Sequence, residues 1–101
     1  MANNVIAQVD IIPLGTASTS LGLYVAACLK VLKQAKDVKY EITASGTIIE
    51  GPLDRVLGLV RQMHEVPFEI GARRVYTTLS IDDRRDKPAT IASKVSSVNK
   101  P

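Results

Sequence analysis

The segment VKYEITASGTIIEGP, residues 38–52, lies at the middle of the chain and decides the fold. Apolar and polar residues alternate over 38–44, which is the pattern of a β-strand with one buried face. A Ser-Gly pair follows, and residues 47–50 are TIIE, so two short strands joined by a glycine-containing turn predict a β-hairpin. Pro52 then suits the first turn of a helix.

Helical patterns flank this hairpin, and strand patterns lie beyond them. The predicted elements are strands at 4–14, 38–44, 47–50 and 73–82, helices at 18–36 and 52–66, the second ending before Pro67, and a short C-terminal helix with Ile91, Val95 and Val98 on its apolar side. The order β-α-β-β-α-β-α predicts an α+β protein of the ferredoxin-like type. We expect one domain over residues 1–101, with a four-stranded antiparallel sheet and both long helices on one face.

The composition is that of an ordinary globular protein. Of the 101 residues, 46% are apolar and 23% are charged, and the net charge of +3 is dispersed, which gives no argument for a nucleic-acid partner. Cys28 is the only cysteine, so it has no internal disulfide partner, and a reducing, cytoplasmic setting is expected. We see no signal-peptide pattern and no stretch of transmembrane length, so no membrane partner is expected.

The sheet face opposite the helices is predicted to be partly apolar. It would carry Ile6, Ile12 and Tyr76 beside Asp10 and several threonines. Such a face, or a free sheet edge, is usually covered by another chain. We therefore expect a homo-oligomer.

The reactive residue types are too few to indicate a catalytic or metal centre. His64 is the only histidine, and one distant cysteine does not provide metal-ligand spacing. A nucleophile–base pair cannot be argued from a single histidine on a helix. Because Cys28 falls on the apolar stripe of the first helix, burial is its expected role. No catalytic residue and no metal site are predicted.

Two polar segments leave alternatives open. The loop PLGTASTS, residues 13–20, supplies more hydroxyls than one helix cap needs, but it lacks the Gly-Lys-Ser/Thr ending of a phosphate-binding P-loop. The segment SIDDRRD, residues 80–86, alternates opposite charges, which disfavours a site for a hard cation and favours an arginine–carboxylate network. That network, which would fix a loop or join subunits, is expected to include Arg74, Asp82, Asp83, Arg84 and Arg85.

Glu50, at the end of the third strand, has two interpretations. It is either a strand-end carboxylate stabilised by the N-terminus of the second helix, or a binding group. If Ile48 faces the helices, Glu50 points the same way and lies at the rim of the core, where a carboxylate needs a partner.

Several ordered motifs resemble one known family. They are IPLGT at 12–16, the segment from Ser20 to Val25, GTIIEG at 46–51, His64-Glu65, Gly71 to Val75, IDDRRD at 81–86 and Lys94 to Val98. As a set they resemble the thiamine-binding domain family related to YkoF, whose members are small ferredoxin-like proteins. The resemblance implies a non-enzymatic, cytoplasmic protein without a cofactor that binds thiamine or its hydroxymethylpyrimidine moiety and forms dimers that assemble into tetramers. The Ala44-Ser45 pair departs from the bulkier residues expected before Gly46.

The resemblance also implies which residues bind the ligand. Thr16, Ser20 and Tyr24, around the start of the first helix, would face Thr47 and Glu50 of the third strand. Hydroxyls and a carboxylate suit the amino group and ring nitrogens of an aminopyrimidine, and a tyrosine can pack on its ring. We expect Glu50 to accept from the amino group or to offset the charge of the thiazolium ring.

Other functions remain open at this point. A common module that binds single-stranded RNA shares the same element order, but it needs aromatic residues on its central strands, and here the first strand has none and the fourth strand has only Tyr76. A small enzyme would rest on fold analogy alone. The fourth alternative is a purely structural oligomerisation module.

Overall fold

The computed structural model describes residues 4–15, 22–86, 90–92 and 95. Its elements are β1 (Asn4–Leu14), α1 (Gly22–Gln34), β2 (Lys39–Thr43), β3 (Gly46–Pro52), α2 (Leu53–Glu69) and β4 (Arg74–Asp82). Ile91, Ala92 and Val95 are also helical, within the predicted C-terminal helix. Within the described ranges, every helix falls short of the length and apolarity that crossing a bilayer requires.

The four strands form one sheet in the order β2-β3-β1-β4, with every neighbouring pair antiparallel. This order is that of the predicted ferredoxin-like fold, which is confirmed. The central strand β1 sets the register, because Ala7 lies opposite Ile49 of β3 and Ile81 of β4. Side chains alternate between the two faces along each strand, so this register fixes which residues meet the helices.

The hydrophobic core lies between the helices and one face of the sheet. Its buried members are Val5, Ala7 and Val9 of β1, Ile49 of β3, Cys28 and Leu32 of α1, Ala35 just after α1, and Val56, Leu59, Val60 and Met63 of α2. Alternate residues of β1 thus face the core, as predicted for a strand with one buried face. Full burial of a leucine or isoleucine side chain stabilises a fold by roughly 1.5–3 kcal/mol.

Helix α2 continues through Pro67 to Glu69, so the prediction that it ends before the proline is wrong. Proline lacks an N–H and leaves the carbonyl four residues earlier without its helical partner. That carbonyl belongs to Met63, and it accepts a hydrogen bond from the thiol of Cys28 at 3.4 Å. A donor from α1 thus compensates for the proline, which is why the helix tolerates it.

The hairpin turn is held by the side chain of Thr43. Its hydroxyl accepts from the backbone N–H of Ser45 at 3.2 Å and donates to the carbonyl of Gly46 at 2.8 Å. Gly46 has φ +152°, in a region that favours glycine. The turn therefore ends β2 and starts β3 at a fixed point along β1.

Candidate functional site

The sheet has a step where the hairpin ends. β1 pairs with β3 only as far as Val9, opposite Thr47, whereas its pairing with β4 continues to Leu14. Beyond the hairpin turn the sheet described here therefore consists of β1 and β4 alone. A cavity of about 300 Å³ occupies this step, between α1, the hairpin turn and β1. We call it the hairpin cavity.

The helix side of the hairpin cavity is apolar and the hairpin side is polar. Its apolar wall includes Val25, Cys28 and Leu29 of α1 and Met63 of α2. Its polar side chains come from Asp10, Thr43, Ser45 and Thr47. An apolar cavity with a few polar groups at one side is the usual form of a site for a small organic ligand.

Thr47 is the predicted binding residue that the structure places in this cavity. It is half-buried and shares the helix-facing side of β3 with Ile49. Thr43 already uses its hydroxyl within the turn, whereas no hydrogen bond joins the Thr47 hydroxyl to another described residue. Thr47 can therefore both donate to and accept from a ligand.

The remaining predicted binding residues do not all converge on the cavity. Thr16 and Ser20 lie outside the described residues. Tyr24 is half-buried on the first turn of α1 and is not part of the cavity wall. Glu50 lies at the other end of β3, and its side chain belongs to the opposite face of the sheet.

The condition under which Glu50 would point toward the helices is not met, because Ile49 and not Ile48 faces them. Ile49 is fully buried in the core, so Glu50 shares the open face with its cross-strand neighbour Ile6. Glu50 as a whole is 5% exposed, and its Oε1 accepts a hydrogen bond from the backbone N–H of Ile91 at 3.0 Å. Glu50 thus anchors the C-terminal helical segment to the sheet.

The open face is covered at one end by the chain itself. Ile91 and Val95 line cavities on this face together with Ile48 or Glu50, and Ile6 is only 8% exposed. At the other end Ile12 and Tyr76 stay exposed, at 40% and 60%. The open face is partly apolar, as predicted. Its most buried isoleucine, Ile6, lies beside the C-terminal segment of the same chain and needs no second chain to cover it.

The charged residues after β4 form local pairs. Arg84 contacts both carboxylate oxygens of Asp86 at 2.6 and 3.0 Å, and Arg85 contacts Asp83 at 2.8 Å. The hydrogen bond from Arg85 holds the pKa of Asp83 below its ordinary value. Such exposed pairs contribute little to stability.

Two members of the predicted charged network, Arg74 and Asp82, are the first and last residues of β4. Arg74 is not near these pairs, since it begins β4 and pairs with Leu14, roughly 26 Å of strand away from the end of β4. Asp82 ends β4 and lies opposite Ile6 on the open face. Within one chain Arg74 therefore does not join these pairs, because the length of β4 separates them, and a network that joins subunits stays a prediction.

His64 and Cys28 are engaged in structural contacts. The Nδ1 atom of His64 lies 2.7 Å from the hydroxyl of Thr77, and the ring packs edge-on against Phe68 with centroids 5.6 Å apart. Burial raises the pKa of the Cys28 thiol, so it stays protonated and donates to Met63. Among the described residues, no group of three potential ligands is arranged to hold a metal ion.

Asp10 is the cavity residue that sequence reasoning missed. The alternation of β1 assigns it to the open face, and nothing in the sequence shows that β3 ends beside it. Because the cavity reaches around the end of the hairpin, a residue of the open face contributes to its wall. The signal that could have found it is the length of β1, which exceeds that of the hairpin strands.

Comparison with known proteins finds relatives along nearly the whole chain. A family model described as thiamine-binding protein matches residues 7–99. The UPF0045 protein YqgV of Bacillus subtilis is 47% identical over 98 residues and covers 94% of each chain. A UPF0045 protein of Methanothermobacter thermautotrophicus is 48% identical over 93 residues, which are 91% of this chain and 93% of the relative.

Solved structures share the fold. A hypothetical protein from Methanocaldococcus jannaschii superposes with a TM-score of 0.85 at 38% identity, covering 95% of this chain and 96% of that one. A Thermotoga maritima protein for which a role in thiamine biosynthesis or salvage is suggested has a TM-score of 0.77 at 23% identity, with coverages of 95% and 99%. At that identity the second likeness concerns the fold alone.

Proposed function

Because the chain belongs to the thiamine-binding protein family, we propose that it binds thiamine, or the hydroxymethylpyrimidine part of thiamine, in the hairpin cavity. The observation that carries the proposal is the cavity itself, which has about 300 Å³, an apolar helix side and an uncommitted threonine. This volume lies at the lower end of the range for small-molecule sites.

The chemistry of the wall fits a pyrimidine ring. Cys28 and Met63 belong to the apolar side, and both contain sulfur, which packs favourably against aromatic rings. Thr47, on the opposite side, offers a hydroxyl to a ring nitrogen or an exocyclic amino group. The family model, described as thiamine-binding protein, supports the same class of ligand.

The proposal is one of binding without catalysis. Among the described residues, the thiol of Cys28 donates to a main-chain carbonyl and His64 contacts Thr77, so neither is directed at the other as a nucleophile–base pair. The proposal extends to a homo-oligomer, which the exposed Ile12 and Tyr76 on the open face support. It extends also to a cytoplasmic location, which the single free cysteine supports. Light scattering after size-exclusion chromatography tests the oligomer, which a stable monomer would contradict.

Calorimetric titration with thiamine and with hydroxymethylpyrimidine tests the ligand and its place. Thr47→Val keeps the shape of the side chain and removes its hydroxyl, so we expect affinity to fall about tenfold, the equivalent of one hydrogen bond. Ser80→Ala is the control, because it removes a hydroxyl from the open face outside the hairpin cavity. Glu50→Ala should leave affinity unchanged. Equal affinity of wild type and Thr47→Val for both ligands would contradict the location.

A further inference from the structure

The carboxylate of Asp10 lies directly against the hairpin turn. A Cβ atom added to Gly46 would stand 2.5 Å from Oδ1 of Asp10 and 3.0 Å from the carbonyl oxygen of Val9. Only a glycine leaves room for this approach, so the carboxylate is packed onto the bare Cα of Gly46 at the end of β3. Asp10 is half-buried there and belongs to the wall of the hairpin cavity.

The described residues around Asp10 do not offset its charge. No hydrogen bond or ion pair joins its side chain to another residue of the described ranges. Its cross-strand neighbour on β4 is Thr78, and none of the described residues that line the cavity is a lysine or an arginine. The cavity therefore presents one negative charge among largely apolar walls, where attraction for a cation is stronger than in bulk water.

We infer that Asp10 makes the hairpin cavity selective for positively charged ligands, so that a heteroaromatic cation binds more tightly than its neutral pyrimidine fragment. The inference rests on the proposed function, because it specifies the charge of the ligand at that same site. In thiamine the charge belongs to the thiazolium ring, which would lie toward Asp10, with the pyrimidine toward Thr47 and the sulfur atoms of Cys28 and Met63. Hydroxymethylpyrimidine fills the same apolar part and lacks the permanent charge.

The experiment compares the two ligands on wild type and on Asp10→Asn by calorimetric titration at neutral pH. Asparagine keeps the size of the side chain and removes the charge. We expect Asp10→Asn to weaken thiamine about tenfold or more and hydroxymethylpyrimidine less than about twofold. Glu41→Gln is the matched control, since it removes a carboxylate from the open face outside the hairpin cavity and should change neither affinity appreciably.

A second measurement uses the unmodified protein, so the inference does not depend on the variant folding normally. Raising ionic strength screens a charge–charge attraction, so the affinity of wild type for thiamine should fall with added salt while that for hydroxymethylpyrimidine stays constant. Equal effects of Asp10→Asn on both ligands, or equal salt dependence of both, overturn the selectivity and leave the proposed function standing. Binding of neither ligand to wild type overturns the proposed function itself.

Discussion

The hydrogen bond from Cys28 to the Met63 carbonyl gives a quantitative test of the packing of α1 against α2. In a helix this carbonyl would accept from the N–H of residue 67, but that residue is Pro67. The thiol supplies the missing donor at 3.4 Å, and both partners are buried, with exposures of 6% and 2%. Cys28→Ala should therefore leave a buried carbonyl without a partner.

The size of the effect follows from what each variant removes. An unsatisfied buried carbonyl destabilises a fold by about 1–3 kcal/mol, and loss of the sulfur adds a packing term. Pro67→Ala restores a main-chain N–H at the right position of α2, so in that background Cys28→Ala should lose only the packing term. We expect a coupling of about 1 kcal/mol in the double-mutant cycle, because a thiol is a weak donor.

Urea unfolding of wild type, the two single variants and the double variant measures this coupling. A chain of 101 residues is small enough for two-state analysis. Cys28→Ser is a useful comparison, since it keeps a donor and removes most of the sulfur's packing. If the effects of Cys28→Ala and Pro67→Ala add within about 0.3 kcal/mol, the thiol does not compensate for the proline and the explanation of the long helix is refuted.

Three further predictions concern other contacts. Gly58→Ala should stabilise the protein by about 0.5–1 kcal/mol, because a Cβ added to this residue of α2 meets nothing within 4 Å. Gly46→Ala should destabilise it by about 1–3 kcal/mol, because the added Cβ would meet Oδ1 of Asp10 and the backbone has a positive φ. Thermal melts in which both variants shift the melting temperature in the same direction would contradict this. Glu50→Ala removes the acceptor of the Ile91 N–H, so hydrogen exchange at that amide should accelerate about tenfold, and an unchanged rate would show that the bond does not hold the segment. Burial keeps the pKa of Cys28 above its ordinary value of 9.0, so the folded state retains the proton longer than the unfolded state. The free energy of unfolding should then fall as pH rises past about 9, less so in Cys28→Ser, and parallel pH curves of the two proteins would count against a buried thiol.

The elements and their order were predictable because hydrophobic periodicity reports directly which side of a strand or helix is buried. β1 is observed at the predicted residues, and β4 differs from its prediction by one residue at its start. The errors concern single residues whose environment comes from another element. Pro67 ordinarily ends a helix, and only the thiol of Cys28 on a different helix explains its tolerance.

The sequence does not determine which face of β3 meets the helices, although it determines that the strand exists. Two adjacent isoleucines, Ile48 and Ile49, fit either face of a strand, and a shift of one residue exchanges the faces. The pairing of Ile49 with Ala7 of β1 decides the matter, and it sends Thr47 toward the helices and Glu50 away from them. Thr47 and Glu50 therefore cannot bind the same small ligand from one side of the sheet.

Two of the carboxylates on the open face, Asp10 and Glu50, have roles that depend on the surrounding chain. Asp10 and Glu50 lie on the same side of the sheet, with Glu50 opposite Ile6, four residues or roughly 13 Å along β1 from Asp10. At one end the C-terminal segment covers Glu50 and gives it a main-chain donor, Ile91 N–H. At the other end β3 stops at Gly46, and the carboxylate of Asp10 is left at the wall of a cavity without a described partner. Because the strand end at Gly46 borders both the cavity and the carboxylate of Asp10, the position of the hairpin turn along β1 determines which of the two acids lies at the cavity.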